Sequence, residues 1–450
     1  KFMDKRTEEF LIDPIFPLLV RMSAPNTIAF FISAVVVLAE LWFVSELGTN
    51  SLAAITIAFP AIMLTQQMAF GTLGGAVTSA ISRSLGSGDK ERAEKLIWHS
   101  IFLAAFGALS FLLIFFLFGE SLLRLLGGKG AMLEESLSYC FIFLSGGIAV
   151  WLSGSLSASL RGMGDMQFPA SLTVVASFFQ VILSAGLILG WFGFPKLGLV
   201  GAAISLVVIG AFMSFVMIIK LSSHSSAIRL RTSRLSFERD LFEDIFIVAF
   251  PASLNPIFTV ATVLILTGLV GQFGSNALAG YGIGSRVEFL MIPIVFGIGA
   301  AMTSMVGTNI GANKMERAEK IGLIGSVSSG LLSAVIGITL ALTPEFWISY
   351  FTSDEATFLV TKQYIQILGF CYLFQGLGLS LFFASQGANA MKWPIIITFI
   401  RFLIASIGAL LAVYWFSSGL VGIFYSSAGA MMIYGVMMIL SLKMGSWRKE

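Results

Sequence analysis

A carboxylate at position 40 stands in the stretch VVVLAELWFV, with no other polar residue for several positions on either side. Placing an ionisable side chain at the centre of a membrane helix costs at least about 2.5–3.5 kcal/mol, so such a group is a functional candidate by default. A carboxyl in those surroundings can hold a proton while they are dry and release it when they wet. That is an ion-coupling site in outline; the alternative for Glu40 is a partner on another helix, a basic residue or a hydrogen-bond donor. Glu288 is the other acid well inside an apolar run, with Glu46 at the outer end of one. Arg286 and Arg401 are the basic residues so placed. Arg286 and Glu288 lie two apart and cannot share a helix face, so pairing with other helices, a structural role, is the expectation for both. Arg401 sits about two turns from the end of its run, where it can snorkel or hold the carbonyl ends of a broken helix. No metal-ligand cluster, His–Asp combination or paired carboxylates lie well inside a run, and no Gly-x-x-x-x-Gly-Lys-Ser/Thr loop occurs. These absences predict neither a catalytic residue, nor a metal, nor a cofactor, and argue against an ATP-driven pump. The expectation is a protein that is not an enzyme.

The elements that must hold these charges are apolar helices. Of 450 residues 57% are hydrophobic and 11% charged, with a mean hydropathy of +0.93, which excludes a soluble globular chain. About 20 apolar residues cross the ~30 Å hydrocarbon layer, and twelve such runs recur: 16–45, 52–82, 93–118, 136–160, 168–190, 197–220, 242–271, 277–308, 317–343, 360–385, 393–416 and 419–442. Barrel strands would alternate with period two; these runs are continuous. The fold class expected is an all-α membrane protein of twelve transmembrane helices. A charged leader, KFMDKRTEEF, precedes the first run and no convincing cleavage site follows it, so the N-terminus is expected to be retained. Cys140 and Cys371 fall inside runs and suggest no disulfide framework. His99 and His224 lie near run ends, without partners spaced as metal ligands, and are expected to be solvated or interfacial.

The chain also repeats itself. GSGDKERAEK at 86–95 returns as GANKMERAEK at 311–320, RGMGDMQFP at 161–169 as QGANAMKWP at 386–394, and GLVG at 198–201 as GLVG at 419–422. Ala24-Pro25 is echoed by Phe250-Pro251, which marks Pro25 and Pro251 as matched helix bends. Two homologous lobes follow: a leader at 1–15, a six-helix lobe at 16–220, a linker at 221–241, a second six-helix lobe at 242–442 and a tail at 443–450. Repeats with an even number of spans share their orientation, so the pseudo-twofold axis runs along the membrane normal. A cleft between rocking lobes is the logic of a secondary transporter. A subset of the 42 Phe and 19 Met would give such a cleft stacking, cation–π and re-packing thioether surfaces. Gln66, Gln67, Asn255 and Gln375 are its expected uncharged polar lining; interhelical hydrogen bonds are their alternative role.

Orientation follows from the short loops. One side collects the leader, both ERAEK loops, Arg161, the basic linker and the tail; the other holds Arg124, Lys129, Lys196 and Lys362. The positive-inside rule therefore puts both termini in the cytoplasm, in a multi-pass protein of the cell inner membrane. The formal net charge of +3 is this anchoring and calls for the lipid bilayer, with no nucleic-acid partner. The linker, KLSSHSSAIRLRTSRLSFERD, reads as a segment lying along the headgroups.

Pro25, then AELWFVSELG at 39–48 and LAA at 52–54, with LAGYGIGSRVE at 278–288, GTNIGANKMERAEK at 307–320, RGMGDMQFP and GLVGAA, resembles the multidrug and toxic compound extrusion (MATE) family, and within it the DinF-like branch. The resemblance covers the chain from Ile12 to Lys443. It implies an antiporter of two six-helix lobes, a monomer, that exports small amphipathic, drug-like and often cationic compounds in exchange for H⁺ or Na⁺. The family usually places Asp where Glu40 stands. DinF-like chains bring an Asn and an Asp in span five toward that acid, where this chain has Gln180 and Ser184. NorM-like chains carry a Glu in span seven and an Asp in span ten, where Thr259, counted here with the cleft, and Gln375 stand. One carboxylate in the first lobe favours a proton, which needs one titratable group; Glu40 with Gln180, Ser184 and Ser205 leaves a poor Na⁺ site as the alternative coupling. A flippase for lipid-linked oligosaccharides belongs to the same superfamily and is the other alternative.

Overall fold

A computed structural model of the chain describes residues 5–224 and 226–448. Lys1 of the leader and Lys449 of the tail, both counted toward orientation, lie outside the described residues. Among those described, every regular element is a helix. Eleven helices are long and apolar enough to cross a bilayer, and a bent pair, Gly130–Ser145 and Gly147–Gly162, makes a twelfth when counted as one span. In chain order the spans are one, Ile15–Ser45; two, Thr49–Gly86; three, Lys90–Leu125; four, the bent pair; five, Gln167–Leu189; six, Leu199–Ser222; seven, Arg239–Gly271; eight, Ser275–Gly311; nine, Met315–Leu342; ten, Glu355–Gly387; eleven, Lys392–Tyr414; and twelve, Gly419–Lys443. Backbone N–H and C=O groups have no water to bond in hydrocarbon, so unbroken helices are the economical solution for each apolar run.

Local sequence sets the ends and the bends. Asp89 caps span three by accepting from Arg92 N, and Asp354 caps span ten by accepting from Thr357 N. Such caps occupy otherwise orphan amides of the first turn. Pro25 lies inside span one, and Pro251 with Pro256 inside span seven. Span four bends by 48° at Gly146. Span two contains a π-helical segment, Gln67–Leu73, that begins at one of the predicted cleft residues.

The chain divides into two compact units. The first takes residues up to Leu11 with Ile28–Ala249, and the second takes Ile12–Thr27 with everything from Phe250 on. In both, the exchange of membership falls within a few residues of the proline in the first span of the repeat. The first unit packs around Phe43, Val44, Phe143, Leu144, Ile188 and Ala203. The second packs around Leu269, Tyr281, Tyr364, Tyr372, Phe424 and Met431. The large apolar side chains left exposed, such as Phe116, Phe215 and Leu331, are those that a bilayer solvates.

Within the first unit the segment between spans six and seven is strapped to span three. Trp98 Nε1 donates to Arg231 O at 2.8 Å, Arg229 N to Glu94 Oε1 at 3.2 Å, and Glu238 N to His99 Nε2 at 3.0 Å. Arg234 reaches Glu91 at 2.7 Å and Lys95 reaches Glu238 at 2.8 Å, while Phe237 stacks on Phe102. His99 is fully buried, which corrects the solvated or interfacial role expected for it; His224 is exposed. The reason is that both ring nitrogens of His99 have partners, Lys95 O at 2.8 Å on Nδ1 and the Glu238 amide on Nε2.

Candidate functional site: a buried acid with a hydroxyl chain

Glu40 on span one is 8% exposed. Its Oε1 accepts from Gln180 Nε2 at 2.9 Å and from Ser184 Oγ at 2.5 Å, both on span five. Ser184 Oγ lies 2.8 Å from Ser205 Oγ on span six, which in turn donates to Ala202 O at 2.8 Å. The four residues expected to handle the coupling ion are thus brought together, and no Lys or Arg pairs with Glu40 among the described residues. Gln180 and Ser184 share a face because they are four apart on a helix. Ser205 reaches them because spans five and six touch at Gly201, where an added Cβ would overlap the Leu187 carbonyl.

Proton counting along this chain is informative. Each hydroxyl carries one hydrogen. When Glu40 is a carboxylate, Ser184 donates to it and Ser205 donates to Ser184, giving up Ala202 O. When Glu40 is protonated on Oε1, it donates to Ser184, Ser184 to Ser205, and Ser205 to Ala202 O. Both states are fully bonded and differ by reversing two hydroxyls, so the charge on span one is relayed to span six. An ion pair in this place would hold Glu40 in a single state.

The other predicted residues lie apart from this group. Gln66 ends the regular part of span two and Gln67 opens its π-helical segment, both half-buried. In the second unit Thr259 Oγ1 donates to Asn255 O at 2.9 Å, while Asn255 Oδ1 and Gln375 Oε1 are buried without a hydrogen-bond partner. A buried carbonyl oxygen without a donor is an available acceptor. Arg286 is exposed. Glu288 Oε2 accepts from Tyr364 Oη at 2.7 Å, and the Arg401 guanidinium stands 4.9 Å over the Tyr434 ring. Sequence reasoning missed Tyr364; its only signal was a lone hydroxyl one element away from an intramembrane acid. No group of three or more His, Cys, Asp or Glu able to hold a metal occurs among the described residues.

Comparison with known proteins now has a geometry to refer to. The MatE family profile matches residues 25–185 and 251–411. A probable multidrug resistance protein, NorM, of Thermotoga maritima is 26% identical over 418 residues, covering 92% of this chain and 89% of that protein. An FAD transporter of Shewanella oneidensis is 27% identical over 386 residues, covering 85% and 83%. Among solved structures, a MOP superfamily transporter of Pyrococcus furiosus, described by the reversed polarity of its binding pocket, superposes with a TM-score of 0.91 at 23% identity over the whole of both chains. An outward-facing multidrug resistance transporter superposes with a TM-score of 0.90 at 24% identity over 99% of both.

Proposed function

Since the chain belongs to the MatE family of membrane transporters, we propose that it is a secondary active exporter that exchanges amphipathic, often cationic compounds for protons by alternating access, with Glu40 as the coupling acid. The observation that carries this reading is the Glu40–Ser184–Ser205 chain. It offers a proton two fully bonded states. A bound Na⁺ would need several oxygens turned toward one point, whereas Gln180 presents its amide nitrogen to Glu40. With the substrate absent and the cavity dry, Glu40 is protonated and span six receives a hydrogen bond. Wetting by the arriving substrate favours the carboxylate, the hydroxyls reverse, and the proton leaves on the inner side while the substrate leaves on the outer. The excess of Lys and Arg in the loops on one side supports an orientation with both termini and both ERAEK segments on the inner side of the plasma membrane.

The multidrug name of the Thermotoga relative supports drug-like cations as cargo. The FAD transporter of Shewanella adds a flavin nucleotide to the compounds worth assaying. The test is export of ethidium, and separately of FAD, from proteoliposomes under an imposed pH gradient and under an imposed Na⁺ gradient. Export driven by pH alone is expected. Export driven by Na⁺ and indifferent to pH would replace the proton reading with a Na⁺ one.

A further inference from the structure

Two spans of the second unit are interrupted. Span eight runs as a helix over Ser275–Glu288, a 3₁₀ turn over Phe289–Met291 and a second helix from Ile292. Span ten runs as a helix over Glu355–Leu368, a 3₁₀ turn over Gly369–Cys371 and a second helix from Tyr372. A mid-span 3₁₀ turn leaves backbone groups without their usual partners, and such breaks are kept where they frame a site. Both breaks converge on one acid. Glu288 closes the first half of span eight and Tyr372 opens the second half of span ten. Tyr364, two turns before Tyr372, donates to Glu288 Oε2 at 2.7 Å, and Tyr281, two turns before Glu288, meets the Tyr364 ring edge-on at 5.7 Å.

Two features separate this cluster from a structural hydrogen bond. The hydroxyl of Tyr372, which opens the second half of the span that carries Tyr364, is fully buried and has no hydrogen-bond partner. Arg401 on span eleven makes no salt bridge with the carboxylate among the described residues, its guanidinium resting on Tyr434 instead. Glu288 is therefore neither neutralised by contact nor isolated. A proton arriving on Oε1, the oxygen that Tyr364 does not bond, would leave the Tyr364 bond in place.

We propose that Glu288 is a second exchangeable acid, which binds one proton from the outer side and releases it to the inner side in each transport cycle. This goes beyond the structural role expected of Glu288 from its sequence. It rests on the proton-coupled reading of the first unit and adds a count to it. One proton through Glu40 and one through Glu288, exchanged for one monovalent organic cation, move net charge across the membrane. One proton alone does not.

Proteoliposomes loaded with ethidium, with equal pH and equal Na⁺ on both sides and a potential set by K⁺ and valinomycin, read that difference. Wild type is expected to respond to the potential; Glu288→Gln is expected to lose this response while keeping export driven by a pH gradient. Tyr364→Phe keeps the ring and removes the donor, and should shift the pH profile of export without abolishing it. A second measurement needs no variant: two protons displaced per ethidium bound to the purified wild-type protein in weakly buffered detergent support the proposal, and one overturns it. A wild type indifferent to potential, or a Glu288→Gln variant as responsive as wild type, also overturns it. Failure of the underlying reading looks different, because there Glu40→Gln would export normally under a pH gradient.

Discussion

Ser184 carries one hydrogen and has two neighbours that compete for it, Glu40 at 2.5 Å and Ser205 at 2.8 Å. That competition makes the residue a reporter of the charge on Glu40, and it separates the contributions that mutation can test. Glu40→Gln keeps volume and removes the only titratable group of the Glu40–Ser184–Ser205 hydrogen-bond chain, so pH-driven export is expected to fall to background while equilibrium binding of ethidium survives. Normal export by that variant would remove Glu40 from the coupling role. Ser184→Ala leaves Gln180 as the remaining donor and cuts the path to Ser205. A hydrogen bond to a charged group is worth about 1.5–3 kcal/mol, so export is expected to drop roughly ten- to a hundred-fold with a displaced pH optimum. Ser205→Ala, one bond further away, is expected to cost less; an equal or larger loss would show that span six is the functional end of the chain. The acid was legible in the sequence because intramembrane carboxylates are costly and few, whereas Gln180, Ser184 and Ser205 were reached only through the family resemblance. Tyr364 was not, since a tyrosine at a helix position reads as packing until the fold puts it beside Glu288.

Elements position these groups through close approach and through the strap. Span nine meets the break in span ten at Gly337, where a Cβ would overlap the Gly369 carbonyl; Gly337→Ala is expected to destabilise the second unit by about 1–3 kcal/mol, as overpacking does, measured as a lower melting temperature in detergent. The twelve apolar runs were legible to within seven residues at each end because bilayer thickness dictates the length of their apolar part. The interruptions were only partly so: Pro25 and Pro251 lie inside single helices, Pro293 opens the helix after the 3₁₀ turn at 289–291 and cannot donate to the carbonyl four residues back, and the turn at 369–371 has no proline near it, so that tertiary packing decides it. The strap was read as a linker along the headgroups, because Ser and Arg say nothing about the particular Glu and Trp they will meet. Its ionic part has a defined pH dependence. The Lys95 ammonium that hydrogen-bonds Glu238 holds that carboxyl below its ordinary range. A depressed value means that the contact's contribution is complete above the ordinary glutamate range of about 4.3 and is lost as pH falls through the depressed value. Trp98, whose indole holds the strap at Arg231, should therefore change its emission at the acid end in wild type. Lys95→Met should lack that acid step and show the altered emission already at neutral pH. An unchanged acid step in Lys95→Met would disconnect this ion pair from docking of the strap.

For the whole molecule, the decapeptide written twice is the most telling feature of the sequence. Its copies occupy the same place in each repeat, between the second and third spans, where Glu91 and Lys95 are joined at 3.6 Å within one helix turn. The repeat predicts two equivalent lobes, and two compact units are what the contacts give. What the repeat could not announce is that residues 12–27 count with the second unit and residues up to 249 with the first, because membership depends on packing beyond the proline and a repeated sequence packs alike on either partner. If both copies of the decapeptide lie on the inner side, as proposed, a membrane-impermeant thiol reagent should spare Ser87→Cys and Ala312→Cys in intact cells and label both in inverted vesicles. The buried Cys140 and Cys371 should stay silent in either preparation. The same two positions then carry the test of alternating access. If the units rock as bodies between proton-loaded and substrate-loaded states, the separation of spin labels at Ser87→Cys and Ala312→Cys must change, because each label rides on a different unit and each loop is short. Glu40→Gln, fixed in the form that mimics a proton on the first unit, should hold the label pair near its proton-loaded separation even when ethidium is bound. A distance that is the same in both states would rule out rocking, and would direct the search for gating to the breaks inside spans eight and ten.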